Sequence, residues 1–280
     1  MTDVSVRGLR YHVERWGTGA PLVLLHGFTG SAEMWRPFRF AWPGRELIAV
    51  DLPGHGRTEF PSDVARARMA ACVDDLASLM DALAIERTAL LGYSLGGRVA
   101  LRFALAYPQR VDTLILESAS PGIVSLAERQ ARVAADERLA ELLEREGVAA
   151  FVDVWEALPL WASQARLPSE VRNRLREARL GCSPLGLACS LRAMGAGVEE
   201  PVIDRLGELT MPVHLVVGAD DAKYVALART MADRLPNATV VIVPDAGHAV
   251  HLEQPARFAA IIGDVLGTMT RPTVGSRCRS

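Results

Sequence analysis

At 280 residues and 30.3 kDa the chain suits one large α/β domain or two small ones, with half of its residues apolar and 23% charged. That balance excludes a mainly disordered, fibrous or collagen-like chain, since enough apolar surface is available to offset the entropy of folding. A formal net charge of −2 leaves no electrostatic footprint for nucleic acid or an anionic membrane.

Residues 1–19 mix charged and polar side chains without a continuous apolar segment, so neither a signal peptide nor a membrane-inserted helix is expected. Residues 21–25 form a short apolar run ending in His26-Gly27-Phe28, and residues 46–50 form another ending in Asp51-Leu52-Pro53-Gly54. Each reads as a buried strand followed by a turn. Residues 70–85 carry Cys72, Leu76, Leu79, Met80 and Leu83 at helical spacing, and residues 88–91 begin a third strand. A helix over 95–106 and a strand over 113–117 follow. The alternation resumes with strands at 213–217 and 239–243 and helices at 225–234 and 257–266. Repeated strand-helix-strand units predict an α/β fold with a mostly parallel sheet covered by helices on both faces.

The stretch from 120 to 204 breaks this rhythm. It lacks clear strands, shows helical spacing at 126–145 and 169–179, and is punctuated by Pro159, Pro168, Pro184, Gly195 and Gly197. It is read as a helical lid over the sheet's C-terminal edge, leaving residues 1–119 and 205–270 as the core. Residues 271–280 have no periodicity and predict a frayed, disordered tail. Cys72, Cys182, Cys189 and Cys278 are too dispersed for a disulfide framework or a zinc site, which suits a reduced, cytoplasmic setting. Of the 31 basic residues only Lys223 is a lysine.

Chemistry concentrates in Gly92-Tyr93-Ser94-Leu95-Gly96, a G-x-S-x-G between a predicted strand and a predicted helix. The turn is tight enough that both outer positions must be nearly bare. It would expose the Ser94 hydroxyl at a helix N-terminus, where backbone N–H groups favour negative charge. A serine needs an imidazole to take its proton and a carboxylate to hold that imidazole. His248 follows the strand at 239–243, and Asp220 and Asp221 both follow the strand at 213–217. Spacing alone leaves the choice between the two aspartates open. For an oxyanion, the N–H groups of Leu95 and Phe28 are the candidate donors. No phosphate-cradling glycine loop or zinc spacing is present, so no metal, nucleotide or flavin is expected.

With Ser94, His248, an aspartate between them and the His26-Gly27 loop, the chain resembles the α/β-hydrolase fold family over nearly its whole length. Gly92-Tyr93-Ser94-Leu95-Gly96-Gly97-Arg98-Val99-Ala100 resembles, more narrowly, the 2-succinyl-6-hydroxy-2,4-cyclohexadiene-1-carboxylate synthases, lyases of menaquinone biosynthesis. Tyr93 and Arg98 are the informative positions. By the same resemblance Arg132 falls at a substrate-binding arginine, Trp155 with Pro159 at a lid tryptophan segment, and Trp161 where the family often has phenylalanine. Asp221-Ala222-Lys223-Tyr224 resembles a D-x-K-[FY] pattern, which selects Asp221 for the triad. Residues 166–204 match no motif of the family.

The resemblance implies a small-molecule substrate, a cyclohexene bearing three carboxylates, for which Arg98, Arg132 and Lys223 are candidate cationic contacts. The Tyr93 hydroxyl is a candidate hydrogen-bond partner of the substrate, and Trp155 and Trp161 are candidates for an apolar wall over its ring. It also implies elimination of pyruvate, with Ser94 as the base. Two other readings stand beside it: a hydrolase of esters or of carbon–carbon bonds in ring-cleavage products, and a ligand receptor that keeps the fold for recognition. Nothing in the sequence sets the oligomeric state.

Overall fold

Two strands lie in residues 1–19, a stretch that an apolar-run criterion passes over because alternation builds them. The computed structural model describes residues 2–61 and 63–268, the side chains of 64 and 65 excepted. β1 (Thr2–Val6) and β2 (Leu9–Gly17) form an antiparallel pair in which Leu9, Tyr11 and Val13 point inward. His12 and Glu14 on β2 are also buried, each with a partner: His12 Nδ1 lies 2.8 Å from Asp3, and Arg36 donates to both oxygens of Glu14 at 2.7 and 2.8 Å.

The strands that follow are β3 (Ala20–Leu25), β4 (Arg45–Val50), β5 (Thr88–Tyr93), β6 (Val111–Glu117), β7 (Val213–Gly218) and β8 (Ala238–Val243). They complete an eight-stranded sheet of order β1-β2-β4-β3-β5-β6-β7-β8, parallel from β4 onward. β5 is buried along its whole length, as expected of a central parallel strand covered on both faces. On one face pack α1 (Val64–Ala67), α2 (Met69–Ala82), α3 (Leu95–Ala106) and α7 (Ala222–Ala232) over a core that includes Leu79, Val99, Phe103 and Met231. On the other, α9 (Pro255–Val265) packs through Phe258 and Ile262 against Trp35 and Trp42. Fully burying such a side chain is worth about 1.5–3 kcal/mol, so two covered faces specify the sheet strongly.

Among the described residues no strand lies between Glu117 and Val213. α4 (Leu126–Glu156) begins at Ser125, whose hydroxyl accepts the Glu128 N–H at 3.3 Å, and runs past the expected end at 145. It is interrupted at Gly147, whose φ of 82° and ψ of −179° belong to a region essentially reserved for glycine. A 3-10 segment (Pro159–Arg166) and α5 (Ser169–Leu180) follow. α6 (Pro184–Met194) is a helix the sequence reading does not foresee, because Pro184 reads as a break. Proline at the first helical position lacks only an N–H that would be unpaired anyway, and Ser183 caps the turn by accepting the Gly186 N–H at 3.1 Å. The insertion has its own core, with Leu143, Phe151, Val152 and Leu187. Phe28 packs against both that core and the main one.

The turns after β3, β5, β7 and β8 all leave the carboxyl edge of the sheet, where open α/β sheets place their sites. A four-residue helix, α8 (Val250–Glu253), closes the last of them. Cys72, Cys182 and Cys189 are free thiols. Cys278 and the tail expected over 271–280 lie outside the described residues.

Candidate active site

Ser94 occupies the sharp turn between β5 and α3 with φ 51° and ψ −105°, a left-handed conformation rare for a residue with a Cβ. Neighbouring backbone makes the turn possible. A Cβ on Gly92 would meet the Gly96 carbonyl at 2.3 Å, and one on Gly96 would meet the Leu25 carbonyl at 2.4 Å. The Ser94 N–H donates to the Glu117 carbonyl at 2.9 Å and the Gly96 N–H to the His26 carbonyl at 3.0 Å, tying the turn to both adjacent strand ends.

Ser94 Oγ lies 3.0 Å from His248 Nε2, and His248 Nδ1 lies 2.8 Å from Asp221 Oδ2. An ionised carboxylate only accepts, so Nδ1 carries the ring proton and Nε2 is left to accept from the serine hydroxyl. The other oxygen of Asp221 accepts the Tyr224 N–H at 3.2 Å, at the start of α7. Asp220 turns the opposite way, to Arg166 Nη2 at 2.5 Å. Tyr224 is a contact to which sequence reasoning gave no role: its partly buried ring meets the His248 ring edge-on, with centroids 4.5 Å apart. Burial raises its hydroxyl pKa.

A cavity of about 840 Å³ opens over Ser94 and His248. Phe28 and Leu95 are among its lining residues, and the N–H of neither donates to a protein acceptor among the described residues. His26 holds the Phe28 loop: its Nδ1 donates to the Gly27 carbonyl at 2.8 Å and its Nε2 accepts the Leu52 N–H at 2.9 Å. Burial pushes the His26 pKa down to about 4, so the ring is neutral and this tautomer persists.

Tyr93, Arg98, Arg132, Trp155, Trp161 and Lys223, the candidate substrate contacts, all line the same cavity, while Asp221 stands behind it and reaches it only through His248. Their surroundings differ. The Arg98 backbone N–H, one turn into α3, donates to the Ser94 carbonyl at 3.0 Å, but its guanidinium makes no hydrogen bond or ion pair among the described residues, and its Nη1 is buried. Burial lowers its pKa to about 10, a guanidinium still charged at neutral pH. Arg132 is already engaged, its Nε donating to Asp136 Oδ1 at 2.8 Å. Trp155 stacks on Phe151 and meets Phe28 edge-on at 5.2 Å, while Trp161 sits edge-on to His248 at 5.5 Å. The Lys223 ammonium lies 5.9 Å from the centre of the Tyr224 ring. Tyr93 is nearly enclosed, its ring 4.6 Å from that of His251, and burial raises its hydroxyl pKa well above the usual value.

Sequence reasoning missed the insertion's far wall. Ser190, Leu191 and Met194 of α6 line the cavity, in the stretch where no motif could be matched. A proline at the first helical position was the available signal. Among the described residues no group of three or more His, Cys, Asp or Glu could hold a metal, and no helix is long and apolar enough to cross a membrane.

Residues 20–255 match the family model for the alpha/beta hydrolase fold. A protein of Bacillus subtilis (strain 168), provisionally named a 2-succinyl-6-hydroxy-2,4-cyclohexadiene-1-carboxylate synthase, is 42% identical over 92% of this chain and 95% of its own. The synthase of that name from Serratia proteamaculans (strain 568) is 34% identical over 88% of this chain and 92% of its own. Among solved structures, MenH from S. aureus superposes with a TM-score of 0.87 at 33% identity, covering 91% of this chain and 98% of that one.

Proposed function

The chain belongs to the α/β hydrolase fold family, among relatives named 2-succinyl-6-hydroxy-2,4-cyclohexadiene-1-carboxylate synthase, and from that membership we propose that it is a cytoplasmic carbon–oxygen lyase of the same reaction. It eliminates pyruvate from 2-succinyl-5-enolpyruvoyl-6-hydroxy-3-cyclohexene-1-carboxylate. The observation that carries this reading is the unpaired Arg98 guanidinium facing the Ser94–His248 pair across one cavity: an anion site built beside a base.

His248, oriented by Asp221, takes the Ser94 proton, and the serine oxygen removes the ring proton α to the succinyl ketone. The enolate oxygen accepts from the Phe28 and Leu95 N–H groups. The electron pair then returns through the ring double bond, the ring carbon–oxygen bond to the enolpyruvyl group breaks, and that group leaves as pyruvate once protonated. No acyl-enzyme forms, which distinguishes this route from ester hydrolysis on the same triad. A positioned general base contributes about 10²–10⁴-fold and each oxyanion donor about 10²–10³-fold.

Arg98 and Arg132 bind substrate carboxylates, with Lys223 at the third, while Trp155 and Trp161 close an apolar wall over the ring and keep water out. Residues 120–204 act as the lid carrying that wall, over a core of 1–119 and 205–270. Purified protein supplied with the enolpyruvyl substrate is expected to release one pyruvate per turnover without consuming an ester. Turnover of simple carboxylic esters with no pyruvate release from this substrate would replace the lyase by the hydrolase.

A further inference from the structure

Directly under the triad lie a second carboxylate and a second imidazole that the elimination does not use. Glu117 ends β6 and His251 sits in α8, three residues after His248, and both side chains are fully buried. Glu117 Oε1 accepts the His251 backbone N–H at 3.0 Å and its Nδ1–H at 2.8 Å, while Oε2 lies 2.9 Å from the same Nδ1. The main-chain carbonyl of Glu117 is the acceptor for the Ser94 N–H. One residue therefore holds the serine turn with its backbone and the histidine loop with its side chain.

The surroundings leave this pair little freedom. The His251 ring packs on Tyr93 at 4.6 Å, Trp35 at 5.2 Å and Phe258 at 6.0 Å, and Tyr93 in turn lies 5.6 Å from His248. From the other side Glu253 accepts the Gly247 N–H at 2.9 Å, and Arg166 stands 3.9 Å from Glu253. The segment around His248 is thus held by two carboxylates, Glu253 at Gly247 and Glu117 at His251. A buried acid–imidazole pair is a costly way to fill space, since apolar residues of the same volume often stabilise as well or better. Its value lies in direction. Three hydrogen-bond geometries meeting on one carboxylate fix the register of β6 against α8 far more sharply than apolar packing does.

The geometry points to Glu117 as a positioning residue that, through His251, keeps His248 Nε2 within hydrogen-bond reach of Ser94. This rests on the reading of Ser94 and His248 as the proton-transfer pair. Misplacing a catalytic group by about 1 Å costs on the order of 10²-fold in rate.

Two substitutions separate position from charge. Glu117→Gln keeps Oε1 as acceptor for both His251 donors, whereas Glu117→Leu keeps the volume and removes them. Each is followed by kcat and KM for pyruvate release and by the rate at which a fluorophosphonate probe modifies Ser94, which reads the Ser94–His248 pair without the lyase substrate. Glu117→Leu is expected to slow both kcat and phosphonylation by about 30-fold or more with KM within about twofold, and Glu117→Gln to stay within about threefold of the unsubstituted protein. A folded Glu117→Leu variant with undiminished rates overturns the inference, and so does a Glu117→Gln variant as impaired as the leucine one. Should Glu117→Leu not fold, His251→Phe preserves the ring packing and the backbone donor while deleting Nδ1–H. A fall of about fivefold or more in the phosphonylation rate supports the inference and an unchanged rate overturns it. An unsubstituted protein that is phosphonylated normally but releases no pyruvate would defeat the lyase reading and leave this one standing.

Discussion

At the sheet edge every polar atom of the triad has a partner, whereas across the cavity the insertion leaves several without one. Asp221, His248 and Ser94 form an unbroken chain of contacts of 2.8 and 3.0 Å, on strand ends buried under two cores. Opposite them the indole N–H groups of Trp155 and Trp161 and the Ser190 hydroxyl are buried without a partner. Surface ion pairs tie the insertion together and to the sheet, among them Arg166 with Asp220 and Arg192 with Glu137 and Glu144. Such pairs contribute little individually, about 0–1 kcal/mol each. On the proposed function the contrast separates two jobs: the edge would be preorganised for proton transfer, and the roof would keep unspent polar groups for the substrate.

The largest effect that would sharpen this division belongs to the edge. Ser94→Ala is expected to lower kcat about 10³-fold or more while a substrate-like carboxylate still binds within about threefold, as titration calorimetry would measure. Unchanged turnover would end the case for Ser94 as base.

Acid should also strike the edge first. His26 is held at about 4 against an ordinary value of 6.5, so the unfolded chain binds its proton more readily than the folded one. Stability is therefore complete above about pH 6.5, falls as the pH drops toward 4, and levels off below that. The loss from His26 alone is about 3 kcal/mol. His55 beside it, held at about 3 by burial, adds in the same direction. Urea unfolding at pH 7, 5.5 and 4 measures this, and a midpoint constant across that range would contradict the buried neutral imidazoles.

Beside the triad on α3, Arg98→Ala is expected to raise KM about 10- to 100-fold with kcat changed by less than about threefold, and Arg98→Lys to recover only part of the loss because an ammonium cannot fork onto a carboxylate. A fall confined to kcat would move Arg98 from binding to chemistry. The smallest catalytic effect is expected at Gly147, where a Cβ meets nothing within 4 Å and only the backbone conformation resists it. Gly147→Ala should cost about 1–3 kcal/mol of stability, read from thermal unfolding, and under about threefold in kcat. A larger catalytic loss would show that the two regions are less separable than their contacts suggest.

Much of this architecture was legible residue by residue. The strand over 88–91, the helix over 95–106 and the G-x-S-x-G between them rest on contiguous pattern: an apolar run, then two glycines whose Cβ atoms would collide with backbone carbonyls. β1 and β2 are less legible because alternation on an antiparallel edge is a weaker signal than a continuous run, and α6 because Pro184 is a breaker inside a helix but a starter at its first position.

Periodicity and turn chemistry act between neighbours in the chain, which is why the order of strands and helices, and the edge from which Ser94, Asp221 and His248 emerge, could be read directly. Whether Asp221 or Asp220 meets the imidazole, whether Arg98 finds a counter-charge, and that Glu117 grips a histidine 134 positions later depend on contacts between distant segments. Such contacts leave no local trace, because each side chain in them would suit a solvated surface equally well until the fold brings its partner alongside.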